Sequence, residues 1–448
     1  MSLTTCGKVQ KRCRFGDNQP NVFKLGICRN QSALGSQLSK SLGRRIAIGI
    51  SCSAIQRPQA PLHVQAPGRV VAVGDLHGDI QQALRALKLA EVINQDATRA
   101  EGNIHWVGGN CHLVQTGDLL DRGNDEIALL GLFQKLGHEA EEAGGAIHVL
   151  TGNHEILNVS GDFRYVTPGA FQESDLFAEK LAEDFGSACT TLGITEKHQM
   201  KDMRMRRLKE RPEDVDEYGT YLKRIGLYAP GGLVATQLAN HPVVLVVNNT
   251  LFVHGGLQPN HVRYGLRRLN GAVGSWMRGE ELDERTSFGV YLGTGSRDSA
   301  VWDRTYSMED MNLLERTKAA RLIQQVLEAA AQECEIPQIK RMVVGHTVQC
   351  QGVNSVLEDT VWRIDVGTSR GVLGVEPQVL EIADDQVRVL RYSMSEAAAL
   401  ERNQQWFEYK MKAVNPDIQP VNVHLDQEGY RNRTIHLLLQ LTLVIYEC

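Results

Sequence analysis

The chain has 448 residues, of which 23% are charged and 42% hydrophobic, and a formal net charge of −5 at pH 7. This length fits one large α/β unit with appended segments, and the negative charge disfavours a nucleic-acid-binding protein because such proteins usually carry a basic face. We also predict no membrane partner and no disulfide framework, because no apolar run reaches the roughly 18 residues of a spanning helix and the nine cysteines include no CxxC pair.

The first 66 residues differ in composition from the rest of the chain. Lysines, arginines and serines recur there, while Asp17 is the only acidic residue. A basic, hydroxylated and acid-poor composition is typical of an organelle transit peptide. We therefore predict such a peptide over residues 1–66, with the chloroplast as first destination and the mitochondrion as second. A disordered basic segment of a cytosolic protein is the alternative.

Strand and helix patterns alternate from Arg69 onward. Short β-branched apolar runs predict strands, and apolar residues at helical spacing predict helices between them. The predicted elements are, in order, a strand at Val70–Val73, a helix over Ile80–Val92, a strand at His112–Thr116, a helix over Asp125–Leu136 and a strand at Ile147–Thr151. Asp79 stands at the cap position of the first helix. This order predicts a layered α/β fold with partly parallel strands.

A polar signature that begins with glycine follows each of these three strands. The signatures are GDLHG at Gly74–Gly78, GDLLDRG at Gly117–Gly123 and GNHE at Gly152–Glu155. Because ligands collect at the carboxyl ends of strands in open α/β sheets, we expect these side chains to meet at one rim. Aspartate, histidine and asparagine together offer the oxygen and nitrogen donors that divalent metal ions bind.

Residues 160–230 change in character and predict a helical, cap-like insertion. Helices are predicted over Glu173–Phe185 and Lys197–Glu210. A dense basic patch accompanies the second helix, formed by Arg204, Arg206, Arg207, Lys209 and Arg211. Such a patch is typical of a solvated helix face. The functional alternative is a cap that steers a phosphorylated substrate.

Strand patterns return after this insertion, with a helix-rich section up to Glu333 between them. The predicted strands are Val243–Val247, Thr250–Val253, Arg341–Val344, Val361–Val366 and Gln386–Tyr392, of which the last two are expected to be antiparallel. His254 and His346 each end one of these strands beside a turn, so their placement could complete the rim. We predict a peripheral tail over residues 395–448, with a helix at Glu396–Met411 and an apolar end at Ile435–Tyr446.

Five motifs, GDxHG, GDxxDRG, GNHE, HGG and a late GH, together resemble the PPP family of metallophosphatases. Their order and spacing match from about Arg69 to Ala383. More narrowly, the chain resembles the Shewanella-like protein phosphatases of plants and algae. The supporting stretches are Gly117–Glu126, Leu251–His261, Val301–Arg304 and Trp362–Val372. The resemblance implies a calcineurin-like αββα domain over residues 67–394, in which helices flank two mixed β-sheets.

Carried over residue by residue, the resemblance implies a site for two divalent metal ions. Asp75, His77 and Asp118 would hold the first ion. Asp118 would bridge to a second ion, held also by Asn153, His254 and His346. Two cations about 3.5–4 Å apart can clamp a phosphoryl oxygen and make a bound water acidic enough to react at neutral pH. Mn²⁺ is the first expectation and an Fe/Zn pair the alternative, because such donors accept several first-row metals.

The resemblance also implies roles for residues that do not bind metal. His154 would be the general acid that protonates the leaving group, and Asp121 would orient its imidazole. Arg122 offers a planar fork suited to phosphate oxygens, and Arg304 resembles a second phosphate-binding arginine. Glu155 would hold the ligands in place. The implied function is a phosphoprotein phosphatase that hydrolyses phosphomonoesters by direct attack of the activated water, without a covalent intermediate.

The chain departs from the wider family in one loop. The SAPNYCG-type loop of the animal Ser/Thr phosphatases is missing, and Asp365–Thr368 occupies that region. The resemblance therefore implies insensitivity to the usual toxin inhibitors, and it leaves the choice between Ser/Thr and Tyr substrates open. Two rival functions remain. One is a diadenosine tetraphosphatase, which shares these motifs, and the other is a non-catalytic scaffold that binds phosphoproteins through residues 197–211.

Overall fold

The computed structural model describes residues 60–99, 102–185 and 215–392. Several predictions lie outside these residues: most of the N-terminal segment, the helix at Lys197–Glu210 with its basic patch, and the tail over residues 395–448. None of the described helices is both long and apolar enough to span a membrane.

Two mixed β-sheets form the centre of the fold. The strands are β1 (His63–Val64), β2 (Val70–Val73), β3 (His112–Gln115), β4 (Ala146–Val149), β5 (Val244–Val247), β6 (Thr250–Val253), β7 (Arg341–Val344), β8 (Asn354–Val356), β9 (Val361–Arg363), β10 (Gln378–Ala383) and β11 (Gln386–Arg391). Within the described residues, one sheet has the order β11-β10-β2-β3-β4 and the other β1-β5-β6-β7-β9-β8. Strands β2, β3 and β4 are parallel to one another, as are β6, β7 and β9.

The two sheets pack face to face, and helices cover their outer faces. Val70 and Ala72 of β2 lie in one apolar cluster with Phe252 of β6, which joins the sheets. Val71 and Val73 point the other way, into the cluster that the helices complete. This alternation follows from the two-residue period of a strand. The structure therefore confirms the predicted αββα sandwich.

The described helices flank the sheets and the loops at their rims. They are α1 (Ile80–Leu89), α2 (Glu126–Glu142), α3 (Asn153–Val159), α4 (Pro168–Phe185), α5 (Val215–Tyr228), α6 (Leu233–Leu238), α7 (Pro259–Tyr264), α8 (Leu266–Met277), α9 (Glu284–Thr294) and α10 (Leu313–Cys334). As predicted, the Asp79 side chain caps α1 by accepting a hydrogen bond from the backbone N–H of Gln82. Helices α4 and α5 belong to the insertion at 160–230, whose role as a cap stays a prediction.

Several predictions about the elements need correction. The helix predicted over Asp125–Leu136 runs over Glu126–Glu142, and the helix predicted from Glu173 begins at Pro168. The first helix ends at Leu89 instead of Val92, because Glu91 takes a left-handed backbone conformation with φ of +54°. The predicted antiparallel direction of the strand starting at Val361 is correct only towards β8, because β9 runs parallel to its other neighbour, β7. His63–Val64, at the end of the predicted N-terminal segment, forms β1 and pairs with β5.

Candidate metal centre

The loops after β2, β3, β4, β6 and β7 all leave the carboxyl ends of their strands at one rim. The loops after β2 and β3 are joined by hydrogen bonds: the N–H groups of Leu76 and His77 both donate to the carbonyl of Asp118, at 3.1 and 2.9 Å. A Cβ atom at Gly123 would lie 2.3 Å from the carbonyl oxygen of Gly78, so the two signature glycines allow this close approach.

Several non-glycine residues of these loops adopt left-handed backbone conformations. They are His77, Asp118, Asp121, Arg122 and His346, with φ of +44°, +58°, +68°, +65° and +66°. Such residues are costly to hold and collect at functional sites, where the surrounding structure fixes them. Other residues of the described chain also have positive φ, for example Leu357, Glu358 and Asp359, so these five support a site at the rim only together with the side chains that meet there.

The Asp118 carboxylate lies at the centre of a group of histidines. Its Oδ2 atom lies 3.3 Å from Nε2 of His254, 3.8 Å from Nε2 of His77 and 3.9 Å from Nε2 of His154. Ligand atoms of His77, Asp118 and His154 lie within 4.8 Å of one another, and so do those of Asp118, His254 and His346. All of these residues are buried. Asp118 is thus shared by two potential metal-binding groups.

The two remaining predicted ligands lie against the same groups. Oδ1 of Asn153 lies 2.9 Å from Nε2 of His254. The Asp75 carboxylate accepts a hydrogen bond from the backbone N–H of His346, at 3.2 Å to Oδ2 and 3.3 Å to Oδ1. The structure therefore brings all six predicted metal ligands to one place, although they come from five separate loops.

Two of the histidines are oriented by hydrogen bonds to backbone carbonyls. Nδ1 of His77 lies 2.9 Å from the carbonyl oxygen of Leu120, and Nδ1 of His254 lies 2.8 Å from that of Thr116. Because a carbonyl only accepts, each Nδ1 carries a proton, and each Nε2 faces Asp118. Nε2 of His346 is buried and has no hydrogen-bond partner within the described part of the chain.

The electrostatics of the rim favour a bound cation. Burial raises the pKa of Asp75 well above its usual value, and the nearby carboxylate of Asp365 adds to the effect. Burial lowers the pKa of His77 to about 3 and that of His346 well below its usual value. Although burial alone would lower the pKa of His254, the carboxylates of Asp118 and Asp75 raise it to about 10. A divalent ion among these converging carboxylates and imidazoles would take the place of the protons that they hold. The donor set therefore fits the predicted metals.

His154 is placed differently from the other histidines. Its Nδ1 lies 2.5 Å from Oδ2 of Asp121, whose Oδ1 accepts a hydrogen bond from the amide of Asn158 at 2.9 Å. Although burial alone would lower the pKa of His154, the carboxylates of Asp118 and Asp121 raise it above its usual value. The ring is therefore suited to hold a proton, and its Nε2 faces the metal centre.

The two predicted arginines border the centre. The guanidinium of Arg122 lies 5.3 Å from the ring of Tyr165, and its buried Nε has no hydrogen-bond partner among the described residues. Nη1 of Arg304 donates to Oγ1 of Thr347 at 3.0 Å, directly beside His346. Both side chains thus bring positive charge to the rim.

Glu155 ties the signature loops together. Its carboxylate accepts backbone N–H groups from Asp118 and Leu119, each at 2.9 Å, and from Gly152 at 2.7 Å. A Cβ atom at Gly152 would lie 2.2 Å from Oδ1 of Asp118. The Glu155 carboxylate therefore bridges two segments that are in close contact.

Two residues near the centre were not predicted from the sequence. Asp365 follows β9, and burial raises its pKa to about 6. The same signal that found Asp75, a buried strand that ends in aspartate, could have found it. Asn158 lies one helical turn after His154 in α3 and therefore on the same face.

Comparisons with known proteins agree with this geometry. Residues 68–350 match the calcineurin-like phosphoesterase family. The chain is 35% identical to Shewanella-like protein phosphatase 2 of Arabidopsis thaliana, over 82% of this chain and 89% of that protein. It is 26% identical to Shewanella-like protein phosphatase 1 of Plasmodium berghei (strain Anka), over 72% of this chain and 74% of that protein. The fold is similar to that of a cold-active protein-tyrosine phosphatase of a psychrophilic Shewanella species, with a TM-score of 0.50 and 21% identity over 74% of this chain and 83% of that chain.

Proposed function

The chain belongs to the calcineurin-like phosphoesterase family, and we propose that it is a metal-dependent phosphoprotein phosphatase. The observation that carries this proposal is the position of Asp118, which is shared by two histidine-containing groups and lies beside the His154–Asp121 pair. The similarity of the chain to two Shewanella-like protein phosphatases supports a phosphoprotein as the substrate instead of a dinucleoside polyphosphate.

The six converging side chains would hold two divalent ions. Asp75, His77 and Asp118 would hold one ion, and Asp118 would also bind a second ion together with Asn153, His254 and His346. The unpartnered Nε2 of His346 supports this assignment, because a buried nitrogen without a partner is costly unless it binds something. When bound, the ions supply the positive charge that acidifies a water and neutralises the phosphate. We propose Mn²⁺ as the ion, with an Fe/Zn pair as the alternative.

The chain's own residues bind the phosphate and transfer a proton. Arg122 and Arg304 offer guanidinium groups to the phosphate oxygens. His154 holds a proton at Nε2 and delivers it to the leaving oxygen, so that an alcohol or phenol departs instead of its anion. Asp121 keeps the ring in the correct tautomer through the contact at Nδ1.

We also propose that the chain is addressed to the chloroplast, with the mitochondrion as the alternative destination. This proposal depends on the basic, acid-poor composition of the N-terminal segment. A fusion of residues 1–59, which precede the described fold, to a fluorescent protein tests it. Fluorescence confined to plastids is the expected result, and a diffuse cytosolic signal would refute it.

A phosphate-release assay on the purified full chain tests the proposed activity. The substrates are peptides that carry phosphotyrosine, phosphoserine or phosphothreonine, with a dinucleoside tetraphosphate for comparison. We expect release of phosphate from at least one peptide with Mn²⁺, loss of that release with EDTA, and no cleavage of the dinucleotide. A folded, metal-loaded chain without turnover on any peptide would refute the proposal, and preference for the dinucleotide would favour the rival hydrolase.

A further inference from the structure

A buried chain of hydrogen bonds leads from His154 to helix α5 of the insertion. Asp121 contacts Nδ1 of His154 at 2.5 Å and accepts from the Asn158 amide at 2.9 Å. The side-chain oxygen Oδ1 of Asn158 in turn accepts a hydrogen bond from Nη2 of Arg224 at 2.6 Å. The same Nη2 donates to Oε2 of Glu126, also at 2.6 Å. All five side chains are almost completely buried, so this network is shielded from solvent.

Arg224 determines which way the Asn158 amide points. A guanidinium can only donate hydrogen bonds, so the atom of Asn158 that faces Arg224 must be the carbonyl oxygen. The NH₂ group is then directed to the other side, where it donates to Oδ1 of Asp121 and to the carbonyl of His154, each at 2.9 Å. Without Arg224 the amide could rotate, and Asp121 would lose the donor that fixes its carboxylate.

Arg224 also supports the backbone of Asp121 through Glu126. The Glu126 carboxylate accepts the backbone N–H of Asp121 at 2.8 Å, where the φ of Asp121 is +68°. The ion pair with Arg224 satisfies the charge of this buried carboxylate. Both the side chain and the backbone of Asp121 are thus held in place from helix α5.

The surroundings of Arg224 are mainly aromatic. Its guanidinium lies 4.3 Å from the ring of Tyr228, 5.2 Å from Phe163 and 5.5 Å from Phe171. On the side away from Asp121, Nη1 donates to Oγ of Ser174 at 2.8 Å. Because an apolar side chain could fill such a site without the desolvation of a charge, packing alone does not account for an arginine here.

We propose that Arg224 is a positioning residue for the proposed phosphatase reaction, acting through Asn158 and Glu126 on Asp121 and thereby on His154. This inference rests on the proposed function. It assigns a part of the insertion at 160–230 to the proton-transfer step. A residue that positions the general acid matters most when the leaving group needs its proton, so its loss should affect poor leaving groups more than good ones.

Two single variants test the proposal with aryl phosphates as substrates. Asn158→Leu removes the amide at similar volume. Arg224→Lys keeps a positive charge beside Glu126, but its ammonium ends one bond short of the position of Nη2, the atom that contacts both partners. For each variant we expect kcat with Mn²⁺ to fall roughly tenfold or more on phenyl phosphate and less than about threefold on p-nitrophenyl phosphate, whose phenolate leaves unaided. Asn158→Leu supplies the result if Arg224→Lys does not fold.

A second experiment separates positioning from general stabilisation. In a His154→Ala background, Asn158→Leu should lower kcat by less than about twofold, because the residue through which it acts is already gone. Ser174→Ala is the matched control, because it removes a hydrogen bond of Arg224 on the side away from Asp121. This variant should lower kcat weakly, and by the same factor on phenyl phosphate and on p-nitrophenyl phosphate.

The outcomes distinguish this inference from the proposed function. Equal losses on both aryl phosphates, an additive loss in the His154→Ala background, or a Ser174→Ala effect as selective as that of Asn158→Leu would overturn the positioning role while the wild type remained active. A wild-type chain that hydrolyses neither ester with Mn²⁺ would refute the phosphatase proposal itself, and the inference with it.

Discussion

His154 presents its two ring nitrogens to two different carboxylates. Nδ1 contacts Asp121 at 2.5 Å, whereas Nε2 lies 3.9 Å from Asp118. The contact with Asp121 is a charge-assisted hydrogen bond. The contact with Asp118 is too long for a hydrogen bond, so Nε2 can donate to another group. This asymmetry separates His154 from His254, whose Nε2 lies 3.3 Å from Asp118 and whose Nδ1 contacts a backbone carbonyl.

Replacement of His154 should therefore impair catalysis more than metal binding. For His154→Gln, which cannot protonate the leaving group, we expect kcat on phenyl phosphate to fall by about 10²–10⁴-fold, with little change in bound metal. Steady-state kinetics and metal analysis measure the two effects. His148→Gln is the control. His148 lies on β4 and contacts His112 of β3, and it does not face the candidate metal centre. Wild-type kcat in His154→Gln would contradict the assigned role.

The loops after β2 and β3 pack backbone against backbone at one glycine, whereas a glycine of helix α2 has open space beside it. Gly123 lies against the backbone of Gly78 and His77, where a Cβ atom would approach to 2.3 Å. Gly137 lies inside helix α2, where a Cβ atom would meet nothing within 4 Å. The same substitution should therefore have opposite effects at the two positions.

We expect Gly123→Ala to destabilise the fold by at least about 1–3 kcal/mol, because the added methyl group must displace backbone. Gly137→Ala should stabilise the fold by about 0.5–1 kcal/mol, because alanine restricts the unfolded chain and favours the helix. Urea denaturation of the two variants measures both changes. Equal effects would mean that the loops after β2 and β3 do not pack as closely as described.

The contact between α4 and the start of α2 should make stability depend on pH. Glu173 of α4 accepts the backbone N–H groups of Ile127 and Ala128. Burial raises the pKa of Glu173 to about 7 from an ordinary value of 4.5. A carboxyl group whose pKa rises on folding holds its proton more tightly in the folded state. Its contribution to stability is therefore complete below pH 4.5 and is lost as the pH rises through 7.

Relative to wild type, Glu173→Gln should consequently become more favourable as the pH rises. We expect the difference in free energy of unfolding between the two proteins to shift by on the order of 2 kcal/mol between pH 5 and pH 8. Denaturant titrations at both pH values measure it. Glu179→Gln removes an exposed carboxylate from the same helix and serves as the control. An identical shift in both variants would attribute the effect to net charge instead of burial.

The candidate metal centre exists because both sheets end at the same rim. Asp75, Asp118 and Asn153 follow strands of one sheet, whereas His254 and His346 follow strands of the other. The apolar cluster between the sheets fixes the distance between these two sets. The ligands proposed for the second ion come from both sheets, so binding of that ion should report on the packing of the sandwich.

The sequence predicted much of this arrangement because each ligand stands at the end of an apolar run beside a turn. It did not predict that the strand at Val361 runs parallel to β7, since hydrophobic runs do not encode which neighbour a strand pairs with. The short, polar β8 gave no strand signal. Arg224 was missed for a different reason: an arginine in an amphipathic helix usually faces solvent, and only tertiary packing reveals that this one is buried.

The most direct test of a paired metal centre at Asp118 is a titration of the metal-free full chain with Mn²⁺, followed by electron paramagnetic resonance. We expect two ions per chain with a spin-coupled spectrum, because Asp118 would bridge them, and loss of the coupling in Asp118→Asn. Asp79→Asn is the matched control, because Asp79 caps α1 and pairs with Arg370, and asparagine caps equally well. A single uncoupled ion, or no bound ion, in a folded chain would contradict the account.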